Sequence, residues 1–515
     1  MKKALLFCLL TICWSCGSGP SAFDTLISEG DSFDIAIMNG SIVDGSGAEP
    51  FDSDLLIRDG KIVFMGEVDP DRIEAGRVID AQGKVVSPGF IDVHAHGNPL
   101  SEFSFKSFLA SGTTTILLGQ DGYHPSVGDD QFNIVPWMEA AEKSDLELNI
   151  ALFAGHGSLR RQAQIANESL PSEDQMNTML TALRAALEAG CFGMSTGLEY
   201  VPGMYAQKPE LEALAKVLGE YEATMASHMR NEDDDAIETS INELLSLGSY
   251  CRVHASHLKV VYGKGAARGE EILAMIDSAR QKGMRVSADV YPYIASYTGI
   301  GILFPKWTKT QSQFEQALKT RKKELETYLY DRVVKRNGPE ATLFGSGKYA
   351  GKTLAEAAGE EGKTYVELLL SIGPQGASGA YFIMDRELQD TFINHAEVMI
   401  ASDGSPTMLH PRGHGTMARI IEQYVIKEKS LTLATAIHKM SGLPAATMGI
   451  TDRGLLQPGL AADILVFNPE AIKEMATFSD PYQLSEGFDQ VIVNGTLAWD
   501  KQKLVSDRSG QLLRK

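Results

Sequence analysis

The chain has 515 residues, of which 43% are hydrophobic, 22% charged and 8% aromatic, which excludes a disordered, collagen-like or coiled-coil protein. Asp and Glu outnumber Lys and Arg by 67 to 47, a formal net charge of −20. A field of that sign repels phosphate backbones and argues against nucleic acid as a partner. Five cysteines are too few for a disulfide framework at this length, and only Cys191 and Cys251 lie beyond the first sixteen residues. Both are expected to be reduced, buried thiols.

The N-terminus reads as an address. Lys2 and Lys3 precede an apolar run, Ala4 to Trp14, that is too short to span a bilayer. Ser15-Cys16 and a small polar stretch follow. The pattern resembles a bacterial lipoprotein signal over residues 1–16, with Cys16 as the lipidated first residue of the mature chain. It implies export to the cell envelope or periplasm, with the membrane engaged only through that lipid. No later segment is long and apolar enough to cross a membrane. Residues 17–32 are small and polar and read as a tether.

From Phe33 the texture is β. Short apolar segments at 34–38, 41–43, 54–57 and 61–64 are separated by Asn39-Gly40 and Asp59-Gly60, which are hairpin turn signals. A further hairpin is expected around Gln82-Gly83, between 78–80 and 84–86. The same texture returns at 462–467 and 490–493, the latter followed by Asn494-Gly495. Between these ends, from about 88 to 445, apolar strands alternate with helical stretches such as 209–226 and 267–283. That alternation predicts a parallel α/β barrel. A doubly wound sheet is the alternative, but no Gly-x-Gly-x-x-Gly follows an early strand. Residues 304–340 are rich in Lys and Glu and read as a helical insertion between barrel strands.

The chemistry concentrates at strand ends, where barrel enzymes place their sites. Phe90-Ile91-Asp92-Val93-His94-Ala95-His96 is an apolar strand ending in two histidines. Period-2 alternation puts both on one face, so both imidazoles can converge on one metal. His228, His257 and Asp403 each follow a further apolar strand and complete a His/His/His/His/Asp set suited to zinc. His156 also ends a strand, as a packing or supporting residue. His254, His395 and His438 are given no chemical role.

This constellation resembles the amidohydrolase superfamily, and further stretches resemble its D-aminoacylase (N-acyl-D-amino-acid deacylase) family. These are 87–96, Gly155-His156-Gly157-Ser158-Leu159-Arg160, 194–203, Ser227-His228-Met229-Arg230-Asn231-Glu232, Ser256-His257-Leu258-Lys259, Asp289-Val290-Tyr291-Pro292-Tyr293, Ser402-Asp403-Gly404 and His410-Pro411-Arg412. They occur in the family's order, and 454–463 is shared with the wider superfamily. The resemblance covers about 33–500. It implies a TIM-like (β/α)8 barrel, 88–445, flanked by a small β-sandwich built from both chain ends, 33–87 and 446–515. It implies one or two Zn2+ ions, with a tightly held zinc on His228 and His257 and with His94 and His96 at the adjoining position. Asp403 is then general base and acid, a role suited to a carboxylate beside an activated water. The reaction implied is hydrolysis of small-molecule N-acyl-D-amino acids to a carboxylate and a free D-amino acid.

One position departs from the family. An Asn-Cys-Gly that supplies a thiolate ligand is matched here by Gln120-Asp121-Gly122. Asp121 offers a carboxylate of the same charge and is expected to replace the thiolate on the metal. Arg412 suits a bidentate contact with the substrate carboxylate, and Lys259 and Tyr291 match family residues that help hold it. Tyr297 stands where the family often carries serine. The alternatives are a cyclic-amide hydrolase of the dihydroorotase or hydantoinase kind, whose bridging lysine has no counterpart in 192–197, a dipeptidase, and a non-catalytic envelope binding lipoprotein.

Overall fold

A computed structural model describes Phe23, Ile27, Ser28 and residues 30–101, 103–128, 132–167 and 170–515. The expected signal and Cys16 lie outside the described residues. The strands are, in chain order, β1 Asp31–Ile42, β2 Phe51–Arg58, β3 Lys61–Gly66, β4 Ile73–Asp80, β5 Val85–Pro88, β6 Phe90–Asp92, β7 Thr113–Leu118, β8 Asn149–Gly155, β9 Gly193–Gly197 and β10 Thr224–His228. They continue as β11 Arg252–Ala255, β12 Val286–Val290, β13 Ala295–Gly299, β14 Thr342–Phe344, β15 Ser378–Phe382, β16 Val398–Ile400, β17 Ile464–Phe467, β18 Phe488–Val493, β19 Thr496–Asp500 and β20 Lys503–Leu504.

Both chain ends contribute to one nine-stranded sheet, in the order β20-β19-β18-β17-β5-β1-β2-β3, with β4 also paired to β1. The join is the antiparallel pair β5–β17, Pro88 opposite Ile464. The sheet wraps a core of Ile35, Ile57, Ile464 and Ile492. Leu465, Phe488 and Trp499 belong instead to the main core shared with the barrel. Asp59-Gly60 and Asn494-Gly495 turn the chain between antiparallel strands, as their sequence predicts.

Two expected hairpins are absent. Asn39-Gly40 lies inside β1, where the register against β2 shifts. Asn39 takes φ 61°, its N–H donates to Asp54 Oδ1 at 2.7 Å and its amide to Asp80 Oδ1 at 3.0 Å. A Cβ on Gly40 would stand 2.5 Å from Val86 Cγ2, so the glycine permits a bulge against a neighbouring strand. The second, around Gln82-Gly83, fails because β4 and β5 both pair with β1 in parallel. The turn passes the chain along one strand instead of folding it back.

Eight parallel strands, ordered β16-β12-β11-β10-β9-β8-β7-β6, form the barrel. An Ala95–Gly404 bridge joins the two end strands beyond their formal termini. His96 N–H donates to Gly404 O at 2.7 Å and Asp403 N–H to His94 O at 2.8 Å. Ile91, Leu117, Phe153, Ala226 and Met399 pack in one buried cluster on these strands. The 304–340 stretch lies within a longer excursion between β12 and β16. It carries helices Gln311–Thr320 and Lys322–Lys335 and the antiparallel sheet β13-β15-β14. It has its own core, including Phe304, Phe314, Leu329, Phe344 and Tyr381.

The two sheets are joined by a buried polar knot. Asp463 Oδ2 lies 2.5 Å from Arg453 Nη1 and accepts from Asn149, the first residue of β8, at 2.9 Å. Asp463 Oδ1 accepts from Asn494 N–H at 2.7 Å. Removing the carboxylate leaves Arg453 to its remaining partner Asp452 and takes the acceptor from Asn149 and from the Asn494 N–H, at about 1–3 kcal/mol for each buried donor left unsatisfied. Asp463→Ala is therefore expected to lower the urea midpoint markedly. Phe51→Ala, on an exposed ring, leaves it within experimental error.

Candidate metal centre and active site

Every sequence-predicted metal residue lies at the C-terminal end of the barrel strands, and all are drawn into one place. His228 is the last residue of β10, two positions after the buried Ala226. His94 and His96 do not sit on a regular strand, because β6 ends at Asp92. The Asp92 carboxylate accepts the N–H groups of His94 at 3.1 Å and Ser402 at 3.0 Å. This bends the chain, and the two imidazole rings converge with centroids 5.2 Å apart. His257, Asp121 and Asp403 follow their strands with φ of 38°, 53° and 51°. Left-handed backbone is uncommon for non-glycine residues and is held here by local hydrogen bonds.

Asp121 is central. Its Oδ1 is 3.4 Å from His94 Nε2 and 3.3 Å from His257 Nε2. Its Oδ2 is 3.7 Å from His96 Nε2 and 4.0 Å from His228 Nδ1. Asp403 Oδ1 is 3.0 Å from His96 Nε2 and 3.6 Å from His94 Nε2. His228 Nδ1 and His257 Nε2 are 2.9 Å apart. The six residues thus form two groups sharing Asp121: His94, His96, Asp121 and Asp403, and Asp121, His228 and His257.

These donors fit zinc. Two atoms bound to one tetrahedral zinc, each at ~2.0–2.1 Å, lie about 3.3 Å apart, close to the separations found. His94 is fully buried and neither ring nitrogen has a hydrogen-bond partner among the described residues. Burial pushes its pKa down against the pull of Asp121, so the imidazole is neutral at pH 7. A buried neutral imidazole facing two carboxylates has the chemistry of a metal ligand. Burial raises the Asp121 carboxyl, but His94 and His257 outweigh it and hold the group well below its ordinary range.

Several supporting residues received no role from the sequence. Ser195 on β9 donates to Gly119 O at 2.5 Å and accepts from Gly122 N–H at 3.0 Å, clamping the turn that carries Asp121. Gly119 is required there, since a Cβ would stand 2.0 Å from Phe153 O. Glu199 Oε2 lies 3.3 Å from His228 Nε2, so Nδ1 is left to face the metal group. Glu232 Oε1 lies 3.2 Å from His257 Nδ1, which Lys259 Nζ also approaches. Asp289 accepts His257 N–H at 2.9 Å and lies 2.6 Å from His254 Nε2. His254 therefore supports Asp289. Glu199, Glu232 and Asp289 stood inside family-like stretches, but carboxylates are common there, and only the folded chain shows which face an imidazole. His156 pairs with Glu210 at 2.8 Å beside Arg160, outside the cluster.

A cavity of about 450 Å³ opens over the cluster, lined by His96, Asp121, His228, His257 and Asp403 and walled above by the excursion. That volume suits a small-molecule substrate. Arg412 enters it with Nη1 2.8 Å from Asp403 Oδ2, its Nε unpartnered, and its guanidinium 4.9 Å over the Tyr291 ring. Lys259 lies beside them but donates to Glu232 Oε1 at 2.9 Å and approaches His257 Nδ1 at 2.8 Å. Burial pushes the Tyr291 hydroxyl up to about 12, which keeps it a neutral donor. Tyr297 also lines the cavity, its hydroxyl 2.8 Å from Ser378 Oγ.

The sequence matches a model described as an amidohydrolase family over residues 371–498. An N-acyl-D-glutamate deacylase of Alcaligenes xylosoxydans xylosoxydans is 32% identical, covering 94% of this chain and 97% of its own. An N-acyl-D-aspartate deacylase of the same organism is 31% identical over 93% and 95%. Among solved structures, an N-acyl-D-glutamate deacylase from Bordetella bronchiseptica, complexed with zinc and a phosphonate mimic of the tetrahedral intermediate, is similar with a TM-score of 0.81. It is 31% identical, covering 94% of this chain and 100% of that one.

The geometry ranks the contributions to metal binding. Glu199→Gln, which weakens the hold on His228, is expected to reduce zinc affinity about 10–100-fold. Asp121→Ala removes an atom from both groups and reduces it further. Competition with a chromophoric chelator measures both.

Proposed function

Because the chain belongs to the D-aminoacylase (N-acyl-D-amino-acid deacylase) family of the amidohydrolases, we propose that it is a zinc-dependent hydrolase that removes the acyl group from N-acyl-D-amino acids. The observation that carries the reading is the placement of Asp403. One carboxylate oxygen faces His94 and His96, and the other meets Arg412 at 2.8 Å. The acid-base group therefore stands between the metal donors and the residue suited to the substrate carboxylate.

His228 and His257 would hold one zinc and His94 and His96 the adjoining position, with Asp121 common to the two donor groups. Bound zinc lowers the pKa of a water toward about 7 and polarises the scissile carbonyl. The chain's own residues do the rest. Arg412, which lines the cavity, orients the substrate carboxylate and so fixes the amide over the cluster, with the buried Tyr291 ring packed against its guanidinium. Lys259 adds positive charge at that end while Glu232 fixes its position. Asp403 is ionised: burial raises its carboxyl, but Arg412, His257 and His94 together outweigh that and hold it below its ordinary range. Its Oδ1 takes the proton of the attacking water and then delivers it to the departing nitrogen, leaving a carboxylate and a free amino acid.

We also propose, on the sequence alone, that the mature chain is held in the cell envelope through a lipid on Cys16. Cys16→Ala should move the protein from the membrane to the soluble fraction on cell fractionation.

The activity is tested with matched N-acetyl-D and N-acetyl-L substrates and zinc supplied. Release of free amino acid from the D series is expected. Asp403→Asn should lower kcat by about 10²–10⁴-fold with KM little changed. Chelation should abolish turnover and added zinc restore it. Selective release from the L series, or full activity in Asp403→Asn, contradicts the reading.

A further inference from the structure

His410 is fully buried and lies outside both the metal donors and the lining of the cavity. The rings of Tyr293 and Phe478 stand edge-on to it, with centroids 5.4 and 4.8 Å away, so packing alone accounts for a ring at this place. It does not account for an imidazole. The two nitrogens meet partners of opposite kind. Nδ1 accepts the backbone N–H of Arg412 at 3.0 Å, and Nε2 lies 3.0 Å from Ala295 O. A carbonyl has no proton to give, so Nε2 carries the hydrogen of the ring and donates it. The partners thus fix one neutral tautomer. Burial and the charge of Arg412 both push the ring well below its ordinary pKa and keep it in that form.

Each bond has a separate task. The first closes the turn His410-Pro411-Arg412. Pro411 holds φ at −61° and Arg412 opens the helix Arg412–Arg419, whose first N–H groups have no acceptor within the helix. The second bond reaches the excursion. β13 is an edge strand of the sheet β13-β15-β14. Ile294 O, just before β13, accepts from Met384 N–H, just past β15, and alternation along the strand turns the carbonyls of Ala295 and Tyr297 the other way. Among the described residues no strand pairs with that outer edge. Side chains fill it instead. Ala295 O accepts from His410, and Tyr297 O accepts from Arg412 Nη2 at 3.3 Å. One strand edge thus holds Arg412 by its guanidinium directly and by its backbone through His410.

We propose that His410, anchored on the free edge of β13, is a positioning residue that fixes Arg412 where the substrate carboxylate binds. The inference rests on the deacylase reading above. His410 acts only through Arg412, so its loss should weaken recognition of the carboxylate and spare the metal donors.

The zinc-supplied full chain is assayed with N-acetyl-D-leucine and with its primary amide, which lacks the carboxylate. His410→Phe keeps a ring and removes both nitrogens. It is expected to raise KM for the acid about ten- to hundredfold and to change kcat by less than about threefold. The amide should be turned over with unchanged kcat/KM, and metal analysis should find the zinc content of the wild type. His410→Asn, whose Oδ1 still accepts from the Arg412 N–H, should recover most of the loss. If His410→Phe does not fold, His410→Gln takes its place, since its amide reaches toward Ala295 but places no acceptor at the position of Nδ1. In NMR spectra of the ring nitrogens, wild-type His410 should carry its proton on Nε2, and a proton on Nδ1 overturns the proposal. An unchanged KM for the acid, or a loss shared equally by both substrates, also overturns it and leaves the deacylase intact. If the wild type hydrolyses neither substrate, the deacylase reading fails. Calorimetric binding of N-acetyl-D-leucine then decides: binding weakened by the variant upholds the role of His410, and binding equal in both proteins, or absent from both, overturns it.

Discussion

Four imidazoles and two carboxylates are packed around a single point, Asp121, in a setting largely closed to water. At separations of 3.3–4.0 Å around that carboxylate, Coulomb energies are large in a medium of low effective dielectric. Six donors with their lone pairs turned inward, including an imidazole with no hydrogen bond among the described residues, are a poor arrangement for protein alone. The same set is a good one for a divalent cation, and from outside the cluster Glu199 already faces the far nitrogen of His228. Much of the architecture at the top of the barrel maintains this convergence.

The backbone carries part of the cost. Asp121, His257 and Asp403 all occupy the left-handed region, at an order of 1–3 kcal/mol each. Each is held by bonds from a neighbouring strand. Ser195 clamps the turn of Asp121, Asp289 binds the N–H of His257, and the His94 carbonyl binds that of Asp403. The last bond also closes the barrel between its first and last strands, so barrel closure and placement of the base are one interaction. A barrel supplies eight strand ends that point at a common axis, and departures from regular strand geometry then aim the side chains.

The upper wall of the cavity has a different origin. It is built on the excursion between β12 and β16, which has a hydrophobic core of its own. The metal donors and the upper wall of the cavity are therefore carried by separately packed units. Arg412 and Lys259 belong to the barrel and are tied to the carboxylates of Asp403 and Glu232.

Much of this was legible in the chain itself. Strand–helix alternation is a local periodicity, and it predicts a parallel barrel. Histidines and an aspartate directly after apolar strands predict a metal site, because parallel strands in one barrel must end on the same side. Asp121 could be read as a ligand from the chemistry of a carboxylate where a thiolate is usual. The hairpins expected at Asn39-Gly40 and Gln82-Gly83 could not be judged locally, since whether such a turn folds back depends on which strand lies beside it. Glu199, Glu232 and Asp289 were equally hidden, because a carboxylate acts on a histidine through a distance of about 3 Å and not through spacing in the chain. Composition counts every cation and anion, but only the tertiary structure decides which of them meet, because pairing is settled by packing between segments far apart in sequence.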